Sequence, residues 1–341
     1  MTRAGATLTL LLASAIHGGA AQSPPSPRIA ALGTCPLESG DSLPHCRVLY
    51  RTFGVLSEAR DNTVLVPTWL GGRSADWIPL LGPTGLVDTT VYFVVVVDAL
   101  ADGASSSPSN SPTRPGAVFP AIAVGDMVES QHRLLTERLG ISHLRGVVGV
   151  SMGGMQAFEW ATRYPTFVDR IVSIVGSPRI SAYDRVLWNA VLTTIEGGRR
   201  YGVPEDSIWV QFDRLLTLHL ATPAMVNRTP SPDIEEQVAV DAKGLATVVN
   251  LTDFASQTRA VLTHDVARAY GGDLTRAAAA VRARVLVVYS WDDHVVSAQP
   301  AVAFASLVGA DTLSIPSECG HQVFTCEAER IGAAIATFLA R

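Results

Sequence analysis

Lysine is nearly absent: Lys243 is the only one in 341 residues. A Schiff-base mechanism therefore has a single candidate, set in a polar stretch that reads as surface. Positive charge in general is sparse and scattered, with 26 Lys and Arg against 31 Asp and Glu and a formal net charge of −5. No basic stripe or cluster offers itself to nucleic acid or to an anionic membrane. A long apolar run is also missing. The stretch from Ala4 to Ile16 falls short of the roughly 20 residues that a bilayer span needs. Cysteines are few: Cys35, Cys46, Cys319 and Cys326. They form no C-x-x-C pair and sit in no His-rich spacing, so no metal site is expected.

What the N-terminus does carry is the pattern of an export signal. Arg3 gives the positive flank, Ala4 to Ile16 the short apolar stretch, and Gly19-Ala20-Ala21 the small-residue cleavage site. Export, to a periplasm or beyond the cell, permits disulfides. The two local pairings, Cys35 with Cys46 and Cys319 with Cys326, close short loops and are the expected ones. Gln22 to Pro27, with three prolines, reads as a linker.

The chain is organised around Gly149-Val150-Ser151-Met152-Gly153. Leu144 to Val148 before it is short, apolar and β-branched, and reads as a buried strand. Met155 to Tyr164 after it carries apolar residues at helical spacing and stops at Pro165. Ser151 thus sits where a strand turns sharply into a helix, the context in which G-x-S-x-G is a nucleophile elbow. Side chains at 149 and 153 would collide with the neighbouring strand and helix. The helix N-terminus beyond Ser151 offers N–H groups to a developing negative charge.

The remaining chain alternates strands and helices. Strands are expected at Arg47 to Phe53, Asn62 to Val66, Val91 to Asp98, Val168 to Val175, Arg284 to Ser290 and Thr312 to Ile315. Helices are expected at Val124 to Leu139, Gln299 to Leu307 and Ala328 to Leu339. The loop from Ala101 to Pro120, rich in Ser, Pro and Gly, is expected at the rim of the site. From Ser177 to Gly272 the pattern is helical only, the mark of a lid over the strand ends. The fold class is α/β: an α/β-hydrolase fold with a mostly parallel sheet, flanking helices and an inserted helical lid. The expected divisions are a signal at 1–21, a linker or extension at 22–46, core at 47–176, lid at 177–272 and core again at 273–341.

A serine nucleophile needs an acid and a histidine, in that order along this fold. Asp292 and Asp293 follow the strand Val285 to Val288. Asp293 is chosen because Val295-Val296 follows it with one residue between; Asp292 is the fallback. His321 lies in a glycine-containing loop beyond the last strand, where an imidazole can swing over the sheet. Its flanking cysteines would pin that loop. His132, His219 and His264 fall on expected helices, and His294 adjoins the acid. The second oxyanion donor should come from Pro67-Thr68-Trp69-Leu70-Gly71-Gly72, after an early strand. The expected backbone donors are Leu70 and Met152, with Trp69 the near alternative to Leu70.

Several motifs together resemble the homoserine O-acetyltransferase family. Asp126-Met127-Val128, Gln131, Leu134-Leu135 and Leu139-Gly140-Ile141 are similar to its segment before the elbow. Gly149 to Ala157 with Glu159-Trp160, His264 to Arg268, and Gly320-His321 with Phe324 are similar to later segments. The resemblance implies an acyl-serine enzyme with a helical lid, able to form a homodimer through that lid. It implies acetyl-CoA as co-substrate only for a transferase, and the family includes ester hydrolases. Three departures turn away from homoserine: Gln322 follows the histidine where the family has Asp, Val296-Ser297 stands where it has Phe-Pro, and Leu215 to Arg228 shows no clear carboxylate-holding arginine segment. The expected function is an exported ester hydrolase acting on a small-molecule ester, with no resident cofactor. The alternative is an O-acetyltransferase for homoserine or another alcohol, and a third reading is a non-catalytic binding module. Asn227-Arg228-Thr229 and Asn250-Leu251-Thr252 match glycosylation acceptors.

Overall fold

The computed structural model describes residues 25–230 and 232–341. The expected export signal lies outside the described residues. No helix among the described residues is long and apolar enough to cross a membrane. The strands are β1 (Arg28–Pro36), β2 (Ser42–Phe53), β3 (Thr63–Pro67), β4 (Phe93–Val97), β5 (Gly146–Val150), β6 (Arg170–Ile174), β7 (Arg284–Tyr289) and β8 (Asp311–Ser314). They form one sheet in the order β1-β2-β4-β3-β5-β6-β7-β8. β1, β2 and β4 pair antiparallel, and every pairing from β4 to β8 is parallel.

The parallel strands are short and β-branched because helices cover both faces. TVLVP in β3 and GVVGV in β5 are buried at every residue. Their neighbours align, Val147 opposite Ile171 and Val64 opposite Val94. β3 leads away towards β4, whereas β5 leads the other way towards β6. Strand order therefore reverses between β3 and β5, and the crevice beyond their C-terminal ends is where such sheets bind ligands. Both the Trp69-Leu70 loop and Ser151 leave the sheet there.

Helix α1 (Val124–Arg133) passes into a wider π turn at Leu134–Arg138, so the single helix expected over 124–139 has two geometries. Helix α2 (Met152–Arg163) follows Ser151 and is buried almost all round. The lid holds α3 (Ala182–Leu192), the single turn α4 (Gly198–Arg200), α5 (Glu205–Leu220), short α6 (Pro223–Val226), α7 (Asp233–Val248) and α8 (Leu251–Leu262). The core resumes with α9 (Leu274–Ala280), α10 (Ala298–Val308), α11 (Val323–Cys326) and α12 (Ala328–Ala340). Helix α8 ends at Leu262, ten residues before the helical pattern expected up to Gly272 does. Its continuation pairs with the lid's entry instead: Ile180 N–H donates to the His264 carbonyl and Val266 N–H to the Pro178 carbonyl. Asn250, in a glycosylation triplet, caps α8 by accepting from Thr252 and Asp253 N–H.

Two sequence expectations need correction. Most of the linker or extension expected at 22–46 is sheet: β1 pairs with β2 from Arg28 opposite Tyr50 onwards. The register shifts on either side of Gly33 break the alternation that would have marked β1 as a strand. The loop from Ala101 to Pro120 does not form a rim. Ser105 and Ser106 are buried, and their hydroxyls accept the Leu49 and Arg47 N–H groups of β2. Ser109 bonds Asp253 of α8, so this loop fastens the lid to β2. Disulfides join Cys35 to Cys46 and Cys319 to Cys326.

Candidate active site

Ser151 adopts φ 55° and ψ −122°, a conformation that a residue with a side chain enters at a cost. The surrounding backbone enforces it. Ser151 N–H donates to the Ile174 carbonyl of β6 at 2.9 Å, and Met155 N–H donates to the Ser151 carbonyl at 3.0 Å. A methyl group on Gly153 would stand 2.5 Å from the Pro67 carbonyl oxygen. One on Gly149 would run into the Gly153 carbonyl of α2. Glycine at both positions lets helix α2 lie against the ends of β3 and β5.

The structure brings the three expected side chains into a line. His321 Nε2 is 2.8 Å from Ser151 Oγ, and His321 Nδ1 is 2.7 Å from Asp293 Oδ2. A carboxylate only accepts, so Nδ1 carries the proton and Nε2 is free to accept from the serine hydroxyl. Asp293 is itself fixed: its Oδ1 accepts the N–H groups of Val295 at 2.8 Å and Val296 at 2.9 Å. Asp292, the fallback, is exposed and makes no bond to the imidazole. Next along the chain, Ser297 N–H donates to Asp184 at the start of α3. Burial pushes the Asp184 carboxyl up, and the Asp293 charge adds to this against the Ser297 and Ser181 donors.

His321 and Asp293 are buried. Gly320, at φ 55°, packs against the Asp292 and Leu220 carbonyls. Thr222 at the start of α6 donates its N–H and its hydroxyl to the Glu318 carbonyl. The bridge from Cys319 to Cys326 spans the histidine turn and α11. The other histidines are placed elsewhere: His132 stacks on Tyr164, His264 faces the Ser177 carbonyl, and His219 bonds the Leu215 carbonyl of its own helix.

The expected oxyanion donors lie on the two loops that meet at the strand-order reversal. Among the described residues neither the Leu70 nor the Met152 N–H has a protein acceptor. The loop carrying Leu70 is fastened on three sides. Thr68 N–H donates to Val97 O, Ala99 N–H to Thr68 Oγ1, and Ser74 N–H to Asp98 Oδ1. Trp69, the alternative donor, packs its ring on Trp77 and on Phe324 of α11.

Two glutamines complete this frame. Gln156 is fully buried, and its Nε2 donates to the Thr68 and Met152 carbonyls while its Oε1 accepts from Gln131. Gln257 of α8 accepts Gly71 N–H at 2.8 Å and donates to the Leu100 carbonyl at 3.0 Å. Gln156 adjoins the elbow motif, where its position was a signal. Gln257 stands 186 residues from its partner, and no local pattern marks it.

A family model described as the alpha/beta hydrolase fold matches residues 63–325. The chain is similar to an ethyl acetate hydrolase of Pseudomonas veronii, 39% identical over 166 residues, 48% of this chain and 48% of that one. It is similar to a homoserine O-succinyltransferase of Methylibium petroleiphilum, 32% identical over 295 residues, 74% of this chain and 76% of the relative. Among solved structures, the acetyl esterase MekB superposes with a TM-score of 0.86 at 27% identity, covering 93% of this chain and 97% of that chain.

Proposed function

The chain belongs to the α/β-hydrolase fold family, in the branch with homoserine O-acyltransferases and esterases, and on that premise we propose an exported serine ester hydrolase. It is an enzyme of ester hydrolysis or acyl transfer. The observation that carries the reading is the hydrogen-bonded line Ser151, His321, Asp293.

In this reading His321 Nε2 takes the Ser151 hydroxyl proton as Oγ bonds to the ester carbonyl carbon. The N–H groups of Leu70 and Met152 hold the oxyanion; losing one such donor typically costs about 2.7–4 kcal/mol of barrier. Asp293 holds the imidazole tautomer and stabilises the imidazolium. The C–O bond breaks, and His321 returns its proton to the departing alcohol. Water then attacks the acyl-serine, giving its proton to His321, and the acid leaves as Ser151 regains its hydrogen. No step calls for a resident cofactor.

The lid supports water over homoserine as the acceptor. Its helix α5 offers no free arginine to a carboxylate: Arg214 pairs with Glu235, and Arg228 beyond it pairs with Glu318. The likeness to a homoserine O-succinyltransferase favours the second reading, O-acetyl transfer from acetyl-CoA to an alcohol. The two disulfides support an oxidising compartment. The test is turnover of p-nitrophenyl acetate with and without homoserine and acetyl-CoA. Hydrolysis that is lost in Ser151→Ala and not exceeded by acceptor-dependent acetylation is expected. Acetylation well above hydrolysis would replace this reading with the second.

A further inference from the structure

Between the lid and the Leu70 loop lies a cavity of about 460 Å³. Trp69 and Gly71, on either side of Leu70, line it, as does Gln322, which follows His321. Its opposite wall is a stripe of α5 bearing Asp213, Leu216, Thr217 and Leu220, positions that share one helix face. At its far end α5 meets the histidine loop, where the Leu220 carbonyl lies against Gly320. Asp213 stands two turns back, about 10 Å along the helix axis.

Asp241 of α7 lines the same cavity. Both carboxyls are nearly buried, each residue being 5% exposed. Asp241 Oδ1 accepts from Gln237 at 2.9 Å. Asp213 Oδ2 is buried with no hydrogen-bond partner among the described residues. Neither nearby arginine forms an ion pair with Asp213 or Asp241 among the described residues. Arg214 pairs with Glu235, and Arg73, on the loop side of the cavity, lies among Asp98, Asp102 and Asp253. Asp76 also lines the cavity and accepts the Arg73 N–H. Burial, with the Asp241 charge beside it, pushes the Asp213 carboxyl up to about 7, against a hydrogen bond from Thr217.

Two buried carboxyls with a spare acceptor call for a proton or a cation. An ammonium brings three donors and a compensating charge, whereas a neutral hydroxyl leaves the repulsion in place. The cavity borders the histidine side of the site, from which the alcohol leaves. We propose that it binds the alcohol portion of a cationic ester, with Asp213 and Asp241 holding an ammonium group about 10 Å from the His321 loop. This rests on the acyl-transfer reading above.

The test compares 5-aminopentyl acetate with hexyl acetate at pH 7; the two differ by an ammonium in place of a methyl. The amino ester should be preferred about tenfold in kcat/KM, through KM, as one charge-assisted hydrogen bond provides. Asp213→Asn and Asp241→Asn should each bring the ratio of the two kcat/KM values towards one. A ratio near one in the unaltered enzyme, or a preference that survives both substitutions, overturns the proposal. Calorimetric titration with 5-amino-1-pentanol reads the same site without chemistry, and Asp213→Asn should weaken it about tenfold. If no ester is hydrolysed the acyl-transfer reading falls, and equal affinity of both proteins for this amine would still end the proposal.

Discussion

Around Ser151 the close contacts are backbone against backbone, and the triad's polar groups are paired with one another or with backbone N–H groups. The Ile174 carbonyl takes the Ser151 N–H, Gly153 lies under the Pro67 carbonyl, and Asp293 spends one oxygen on two N–H groups and the other on His321. Across the strand ends the lid is built differently. Its α5 and α7 meet through side chains, leave Asp213 Oδ2 unpaired, and bring a second carboxyl beside it. On the function proposed above, the difference separates two tasks. A frame that must hold a proton-transfer line within a few tenths of an ångström is made of satisfied backbone. A surface that selects a substrate can carry an unmet electrostatic demand, which the substrate then meets.

The largest effect that could break this comparison is at Asp293. Asp293→Asn should leave the fold intact and lower kcat for p-nitrophenyl acetate by about 10⁴-fold, because the amide no longer fixes the imidazole tautomer. Asp292→Asn, one residue away and exposed, should change kcat by less than about twofold. Equal effects of the two substitutions would mean that the hydrogen bond from His321 to Asp293 is not the one that matters in turnover.

Next comes the frame's intolerance of a methyl group. Gly153→Ala would place carbon 2.5 Å from the Pro67 carbonyl, and backbone cannot step aside as a side-chain tip can. Unfolding free energy from urea titration should fall by about 3 kcal/mol. A smaller loss, with activity kept, would show that α2 slides on β3 and that the frame is looser than its contacts suggest.

How far the sequence discloses each region follows the same division. The elbow was legible because its constraints are local: strand, glycine, serine, glycine and helix succeed one another in the chain. Asp293 and His321 were legible as candidates because this topology delivers each of them from a strand end, in chain order. The structure brings them onto Ser151, and the loop that carries Leu70 is pinned through Thr68, Asp98 and Gln156. β1 was not legible, since the register shifts about Gly33 break its alternation. The serines of the Ala101 loop read as a ligand rim because a hydroxyl that serves β2 backbone has the same letter as one that serves a substrate. The Asp213 and Asp241 pair had no signal at all: the two lie on different helices, and only packing makes them neighbours.

A smaller effect sharpens the lid side. Asp213 is held above the ordinary carboxylate range, up to about 7, so the folded state binds its proton more tightly than the unfolded chain. Between about pH 4 and pH 7 the folded state therefore carries more protons, and stability falls as pH rises through that window. Asp213→Asn should remove this slope and raise stability at pH 8 by on the order of 1 kcal/mol, well short of the full shift because solvent reaches the cavity. Thermal melts of both proteins from pH 4 to pH 8 measure it. Parallel curves would mean that neither burial nor the Asp241 charge raises the Asp213 carboxyl, and the electrostatic contrast between lid and frame would go.

The smallest effect has the opposite sign from the Gly153 case. Gly244 lies inside α7, and a methyl group there would meet nothing within 4 Å. Alanine in an open helical position restricts the unfolded chain and favours the helix, so Gly244→Ala should raise the urea midpoint by the equivalent of about 0.5–1 kcal/mol. One substitution type would then destabilise the frame and stabilise the lid, as expected if only the former is closed by backbone contacts. A loss of stability at Gly244, together with a midpoint that depends on protein concentration, would instead mean that this face of α7 is covered in solution by a second copy of the chain. The lid would then be as tightly fitted as the frame, with its closing surface supplied by the other protomer.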